Sequence, residues 1–222
     1  MLLTLIRSGS MTDAVIYFFS SIFVVFCTLP IHEYAHALVA TKLGDTTPES
    51  RGRMTLNPLA HIDPIGAVMI LLVGFGYAKP VPVNARNFKN PRKGMALTAL
   101  AGPASNLIMA LFFVILQNIF YRMDNGSTAI YMCRYFFYWA SYINVSLAVF
   151  NLIPIPPLDG SRIANLIIPR KYYFAIMKYE RYIMIGVFIL LFTGILSVPL
   201  EALTRLVYSF ISFVGNLPFR LF

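Results

Sequence analysis

Charge is scarce in this chain. Of 222 residues, 12% are Asp, Glu, Lys or Arg, and only nine are acidic. Soluble domains carry about a quarter charged residues, so an ordinary soluble fold is excluded, and a 58% hydrophobic content points to a membrane protein. Cysteine is nearly absent too. Cys27 and Cys133 lack CxxC spacing, which argues against a disulfide or a cysteine metal site and leaves both as small core hydrophobes. No cleavable signal peptide is expected, because "MLLTLIRSGSMTD" has too short an apolar run and no small-residue cleavage site behind it. Linkers, low-complexity tracts and internal repeats are also missing. One membrane domain over 1–222 is therefore expected, with a core at about 14–168 and accessory helices at about 178–220.

Uncharged stretches are what the chain has instead. Ala14 to Ile31, Gly94 to Tyr121, Tyr135 to Leu158 and Tyr182 to Leu200 are each about long enough to cross a hydrocarbon core. Ile65 to Ala78 and Leu206 to Phe219 are shorter and read as re-entrant, interfacial or packed segments. The net charge of +9 is a topology signal and not a nucleic-acid footprint. Basic residues gather between the first and second long spans (Arg51, Arg53, Lys79, Arg86, Lys89, Arg92, Lys93) and after the third (Arg162, Arg170, Lys171, Lys178, Arg181). Such loops face the cytoplasm, so the first span runs inward, the second outward and the third inward again.

The first span reads as continuing helical to about Leu43, with Gly44 at its C-terminal cap. Pro30 falls inside it and predicts a kink. Residues 46–93 are rich in Pro, Gly and Asn, and "KPVPV" at 79–83 is incompatible with helix and confined to a sheet edge. The expected fold is an all-α polytopic membrane protein, about four to six segments around a three-helix catalytic core. A small β-hairpin or re-entrant sheet follows the first core helix.

The chemistry centres on "LPIHEYAHALV", residues 29–39. His32 and His36 are four apart, so a helix presents both on one face, where they can share a metal. Glu33 beside them can take a proton from water. Two core histidines with a chance glutamate would be the plain alternative, but an ionisable residue in a bilayer costs roughly 2.5–3.5 kcal/mol and is usually functional. A catalytic zinc usually keeps three protein ligands. Asp159 in "PPLDG" is the leading third candidate: it ends an apolar span at the depth of the histidines, although an Asp-Gly turn would also explain it. His61 and Asp63 are weaker, because loop turn chemistry accounts for them.

Together "HEYAH", "AGPASN" and "NLIPIPPLDG" resemble the HExxH, GPxxN and N-x-x-P-x-P-x-L-D-G motifs of site-2 proteases, intramembrane zinc metalloproteases. "NPLAHIDPIG" and "AKPVPVN" resemble the compact prokaryotic branch; within 222 residues there is no room for the PDZ or CBS domains of other relatives. The resemblance implies one Zn2+ held by His32, His36 and Asp159, with Glu33 as general base and Asn106 and Asn151 as polar residues near the metal. It implies cleavage of peptide bonds within or near transmembrane segments of a membrane-protein substrate, by a multi-pass protein with its active site toward the cytoplasm. Val81 and Val83 on the edge strand are candidate substrate contacts by strand addition. A regulatory membrane partner or a homo-oligomer is compatible with this reading. The alternatives are a metal transporter or metal sensor using the same ligands, or a catalytically silent relative. A transporter should show paired broken helices in two halves, and no such repeat is present.

Overall fold

Pro30 does not interrupt the first long helix. The computed structural model describes residues 11–73, 75 and 77–220. There α1 (Met11–Phe23), a π-helical turn (Val24–Thr28) and α2 (Leu29–Lys42) form one continuous rod. Proline has no N–H for the carbonyl four residues back, and its ring crowds that carbonyl. The wide π turn immediately before it relieves the crowding: Leu29 N–H donates to Val24 O, five residues back. The irregularity expected at Pro30 thus sits in the preceding turn. The rod ends as the glycine signal predicts, with Gly44 at φ +107° and its N–H on Thr41 O.

After α3 (Thr47–Ser50) and the short α4 (Pro64–Val73) come α5 (Pro91–Arg122) and α6 (Thr128–Asn151). Asn90 caps α5 by accepting from Lys93 N–H, and the helix passes through Pro103 unbroken. Among the described residues three helices are both long and apolar enough to cross a membrane: Met11–Lys42, Pro91–Arg122 and Ser197–Phe219. At 24 residues α6 spans about 36 Å, enough to cross a bilayer, but its Tyr, Ser and Asn content makes it less apolar. It is the enclosed element: nearly every residue from Trp139 to Phe150 is buried. Ser20 of α1 donates to Phe136 O and Ser141 to Ala110 O of α5, while Tyr17 meets Trp139 edge-on at 5.1 Å. The side chains turned away from this bundle are apolar, among them Phe19, Phe26, Ile108 and Phe112, as a lipid-facing surface requires.

The C-terminal third departs from the sequence expectation. Tyr182–Leu200 is not one span: α9 (Glu180–Phe192) stops after 13 residues, about 20 Å, and the chain turns at Gly194, φ +80°. The stretch at 206–219 belongs instead to the 24-residue α10 (Ser197–Arg220), which packs on α5 and α6. Before them lie α7 (Asp159–Ala164) and α8 (Arg170–Met177). Cys27 and Cys133 are unpaired, as expected, but Cys27 is exposed and Cys133 half-buried; a thiol is apolar enough to face lipid, so neither is a core residue.

The expected hairpin or re-entrant sheet does not form among the described residues. Residues 77–84 contain no strand, since Pro80 and Pro82 bring no N–H to a ladder. Their backbone is held by distant side chains. The Arg53 guanidinium donates to Lys79 O and Pro80 O at 2.7 and 2.9 Å. Lys79 N–H donates to His61 O, and Asn84 N–H donates to the fully buried Asp45 carboxylate at 2.7 Å.

Candidate metal centre

One turn of α2 separates His32 and His36 and points both at α5. The Nδ1 of His36 lies 2.7 Å from Thr98 O. A carbonyl only accepts, so Nδ1 carries the proton and Nε2 presents a lone pair. Four residues along α5 stands Gly102, where a Cβ would lie 2.3 Å from His36 Nε2 and 2.5 Å from His32 Nε2. Only glycine leaves that space open. Asp159 enters from the third side, at the first turn of α7, directly after the proline-broken end of α6. Its Oδ2 lies 3.4 Å from His32 Nε2 and 3.2 Å from His36 Nε2. Gly160 lets α7 press against the turn that follows α6: a Cβ there would stand 2.2 Å from Leu152 O and 2.4 Å from Ile153 O. That glycine serves close approach and not a left-handed turn.

The two imidazole nitrogens are 3.0 Å apart, so the three atoms make a triangle of 3.0, 3.2 and 3.4 Å. Tetrahedral zinc with ligand distances of about 2.0–2.1 Å separates its ligand atoms by about 3.3 Å. The donor set, two imidazoles and a carboxylate, is one zinc accepts. Among the described residues this is the group of His, Cys, Asp and Glu side chains arranged to hold a metal ion. The residues present fit the ion.

Glu33 is 5% exposed, and its Oε2 is buried with no hydrogen-bond partner among the described residues. It lines, with His32, His36 and Asp159, a cavity of about 700 Å³. Pro80, Val81 and Val83 form part of the cavity wall, and Asn151 and Arg162 other parts. Val81 is buried, and neither Val81 nor Val83 has a backbone hydrogen bond to another main-chain group among the described residues. Asn151 donates to Leu147 O within its own helix. Asn106, one turn beyond Gly102, is 1% exposed, and both its amide atoms lack partners among the described residues.

His61 and Asp63 stand apart from this centre. His61 is fully buried with Nε2 on Thr55 O, and Asp63 caps α4 through Ile65 and Gly66 N–H. The roles of Thr98 and Gly102 escaped the sequence reading, although Thr98, Gly102 and Asn106 fall four apart and so share one face of α5. Asp45 and Arg53 left no local signal. Burial raises the Asp45 carboxyl, but hydrogen bonds from Thr47, Asn84 and Asn87 outweigh it and hold the group below the ordinary carboxylate value.

The model of Peptidase family M50 matches residues 119–193, a stretch that contains Asn151 and Asp159. YwhC of Bacillus subtilis, named as a candidate zinc metalloprotease, is 44% identical over 165 residues, which are 73% of this chain and 74% of YwhC. MJ0611 of Methanocaldococcus jannaschii, similarly named, is 30% identical over 68% of this chain and 71% of its own length. Rip2 of Mycolicibacterium smegmatis, also a candidate zinc metalloprotease, is 32% identical over 60% of this chain, and the match spans about half of Rip2, 51%. No solved structure matches the chain.

Proposed function

Because the chain belongs to peptidase family M50, the site-2 protease family of zinc metalloproteases, we propose that it hydrolyses peptide bonds within or beside transmembrane segments of membrane proteins. The observation that carries this reading is the convergence of His32, His36 and Asp159 to within 3.4 Å on a cavity shared with Glu33. His32 and His36 would hold the zinc through Nε2 and Asp159 through a carboxylate oxygen. Zinc, when bound, supplies Lewis acidity toward a carbonyl oxygen and makes water more acidic. Glu33, with a carboxylate oxygen at the cavity wall that has no partner among the described residues, accepts the proton of the attacking water and returns it to the leaving amine nitrogen. The Thr98 carbonyl fixes the His36 tautomer that this arrangement needs.

The 77–84 segment supports a second element of the reading. Val81 and Val83, on the same cavity as His32, His36 and Asp159, offer main-chain groups with no backbone partner among the described residues. An unwound stretch of substrate joins them by backbone pairing, as in strand addition. Asn106 and Asn151 serve as polar contacts near the metal. Four long elements cross the bilayer in this proposal, the three apolar helices and α6. The whole of 1–222 acts as one protease domain, with α9 and α10 accessory to a core at about 14–168. The basic 46–93 and 162–181 segments face the cytoplasm; outside labelling of cysteine placed at Ser50 but not at Ser127 would reverse this orientation.

A metal transporter or sensor would leave Glu33 idle, so one substitution separates the readings. Purified Glu33→Gln should keep its zinc while cleavage of a panel of transmembrane substrates falls by a factor on the order of 10² or more. Undiminished cleavage by that variant would sink the mechanism.

A further inference from the structure

Three cations line the cavity without acidic partners among the described residues. Arg162 on α7, Lys178 between α8 and α9, and Arg181 on α9 all border the space that holds His32, Glu33 and Asp159. None of the three is in an ion pair among the described residues, where such pairs join Arg134 to Asp124, Arg205 to Glu201 and the two histidines to Asp159. Other cytoplasm-side arginines are occupied differently: Arg53 holds Lys79 O and Pro80 O, and Arg92 donates to Ile168 O at 2.6 Å. One carboxylate beyond the metal site, Glu180, lies on the same wall, so the α7–α9 side of the cavity keeps an excess of positive charge. Loop topology requires basic residues somewhere on this face, but it does not require them to line the cavity that receives the polypeptide.

We propose that Arg162, Lys178 and Arg181 select substrates with acidic side chains flanking the bond to be cut. The inference rests on the proteolytic reading and specifies its substrate class. An extended peptide lying along Val81 and Val83 passes within the same cavity as these cations, and carboxylates on it would replace the partners they lack. Lys or Arg at the same positions would meet like charge. An anionic lipid headgroup is the competing occupant. The shared lining with Glu33 and the metal ligands favours the peptide, because that space must admit the scissile segment.

The test uses full-length protein in phosphatidylcholine vesicles and three transmembrane substrates that differ only in the residues on the cytoplasmic side of the membrane segment: acidic, neutral or basic. The acidic substrate should be cleaved roughly three- to tenfold faster than the basic one at low salt, the scale of a few partly solvated ion pairs. The ratio should shrink toward one in high salt. Arg162→Glu/Lys178→Glu/Arg181→Glu should invert the ratio, and the triple Gln variant should flatten it, both with wild-type zinc content as the check on folding. An unchanged ratio in zinc-replete variants, or equal cleavage of all three substrates by wild type, overturns the proposal. A variant effect seen only with phosphatidylglycerol vesicles and blind to substrate charge also overturns it, by assigning the cations to lipid. Binding of the same substrates to Glu33→Gln separates the two layers of argument. Charge-ordered binding that the triple variant inverts upholds selection even if wild type cleaves nothing, whereas binding blind to charge rejects selection even if every substrate is cut.

Discussion

Gly102 and His36 face each other across α5 and α2 so closely that a methyl group on Gly102 would stand 2.3 Å from the Nε2 of His36. The relationship makes the α5 backbone one wall of the candidate metal centre. Gly102→Ala should displace both imidazoles and lower zinc affinity by about 10- to 100-fold, the scale seen when groups that orient ligands are disturbed. Gly186→Ala, where a Cβ would meet nothing within 4 Å, is the control and should leave zinc content alone. Full zinc affinity in Gly102→Ala would mean that the α2 side chains have room to retreat.

Asp159 is 123 positions beyond His36, and its assignment as third ligand is open to a direct count. Asp159→Ala should lose bound zinc by at least about tenfold along with activity, while His61→Ala and Asp63→Ala should keep stoichiometric metal, since their side chains serve the loop that carries them. Metal analysis of folded, purified protein decides the matter. Full occupancy in Asp159→Ala would move the ligand elsewhere.

The cavity wall offers a test of substrate binding separate from metal binding. Replacing Val81 and Val83 with Gly removes their side chains from the cavity wall but leaves the candidate ligands His32, His36 and Asp159 untouched. Zinc should stay, and cleavage should weaken mainly through a higher KM, because lost uniform binding raises KM without changing kcat. Wild-type kinetics in the double variant would show that the Val81 and Val83 side chains do not contact substrate.

Asp45 gives the 77–84 region an acid limit. Its carboxyl is held below the ordinary value in the folded protein. The stabilisation is therefore complete above the unfolded value near 3.9 and is lost as pH falls through the lower folded value. Nothing from this group should change between pH 7 and 5. Asp45→Asn should remove the charge from four hydrogen bonds, destabilise the region by about 1–3 kcal/mol and flatten the acid limb. Hydrogen exchange at Asn84 N–H reads both effects. An unaltered exchange rate in Asp45→Asn would show that Asn87 and the backbone suffice.

The grouping of His32, His36 and Asp159 was legible because its chemistry is spaced by the helix itself: His32 and His36 announce a face, and Asp159 closes an apolar run with a glycine behind it. The Gly44 stop was legible for the same local reason. The hairpin misread has a nonlocal cause. Alternation and proline in "KPVPV" describe chain that avoids helix, but whether it pairs depends on who takes its carbonyls. Here Arg53 does so, 26 and 27 residues away, and Asp45 binds Asn84 from 39 residues away. The C-terminal boundary was misplaced because apolar content was read across Gly194, whose φ of +80° is the kind of break that hydrophobicity does not register.

Arg53 and Asp45 also decide when the disorder of the 77–84 segment is removed. Fixing the backbone of a residue costs about 1–2 kcal/mol in conformational entropy, and a free loop of this length would have to meet that cost each time a peptide arrived. With both ends tied during folding, the loss is already behind the protein before any substrate comes. On the proposed reading, a peptide lying along Val81 and Val83 would have only its own freedom to give up, which is the condition under which a short, locally unwound stretch can be held at all.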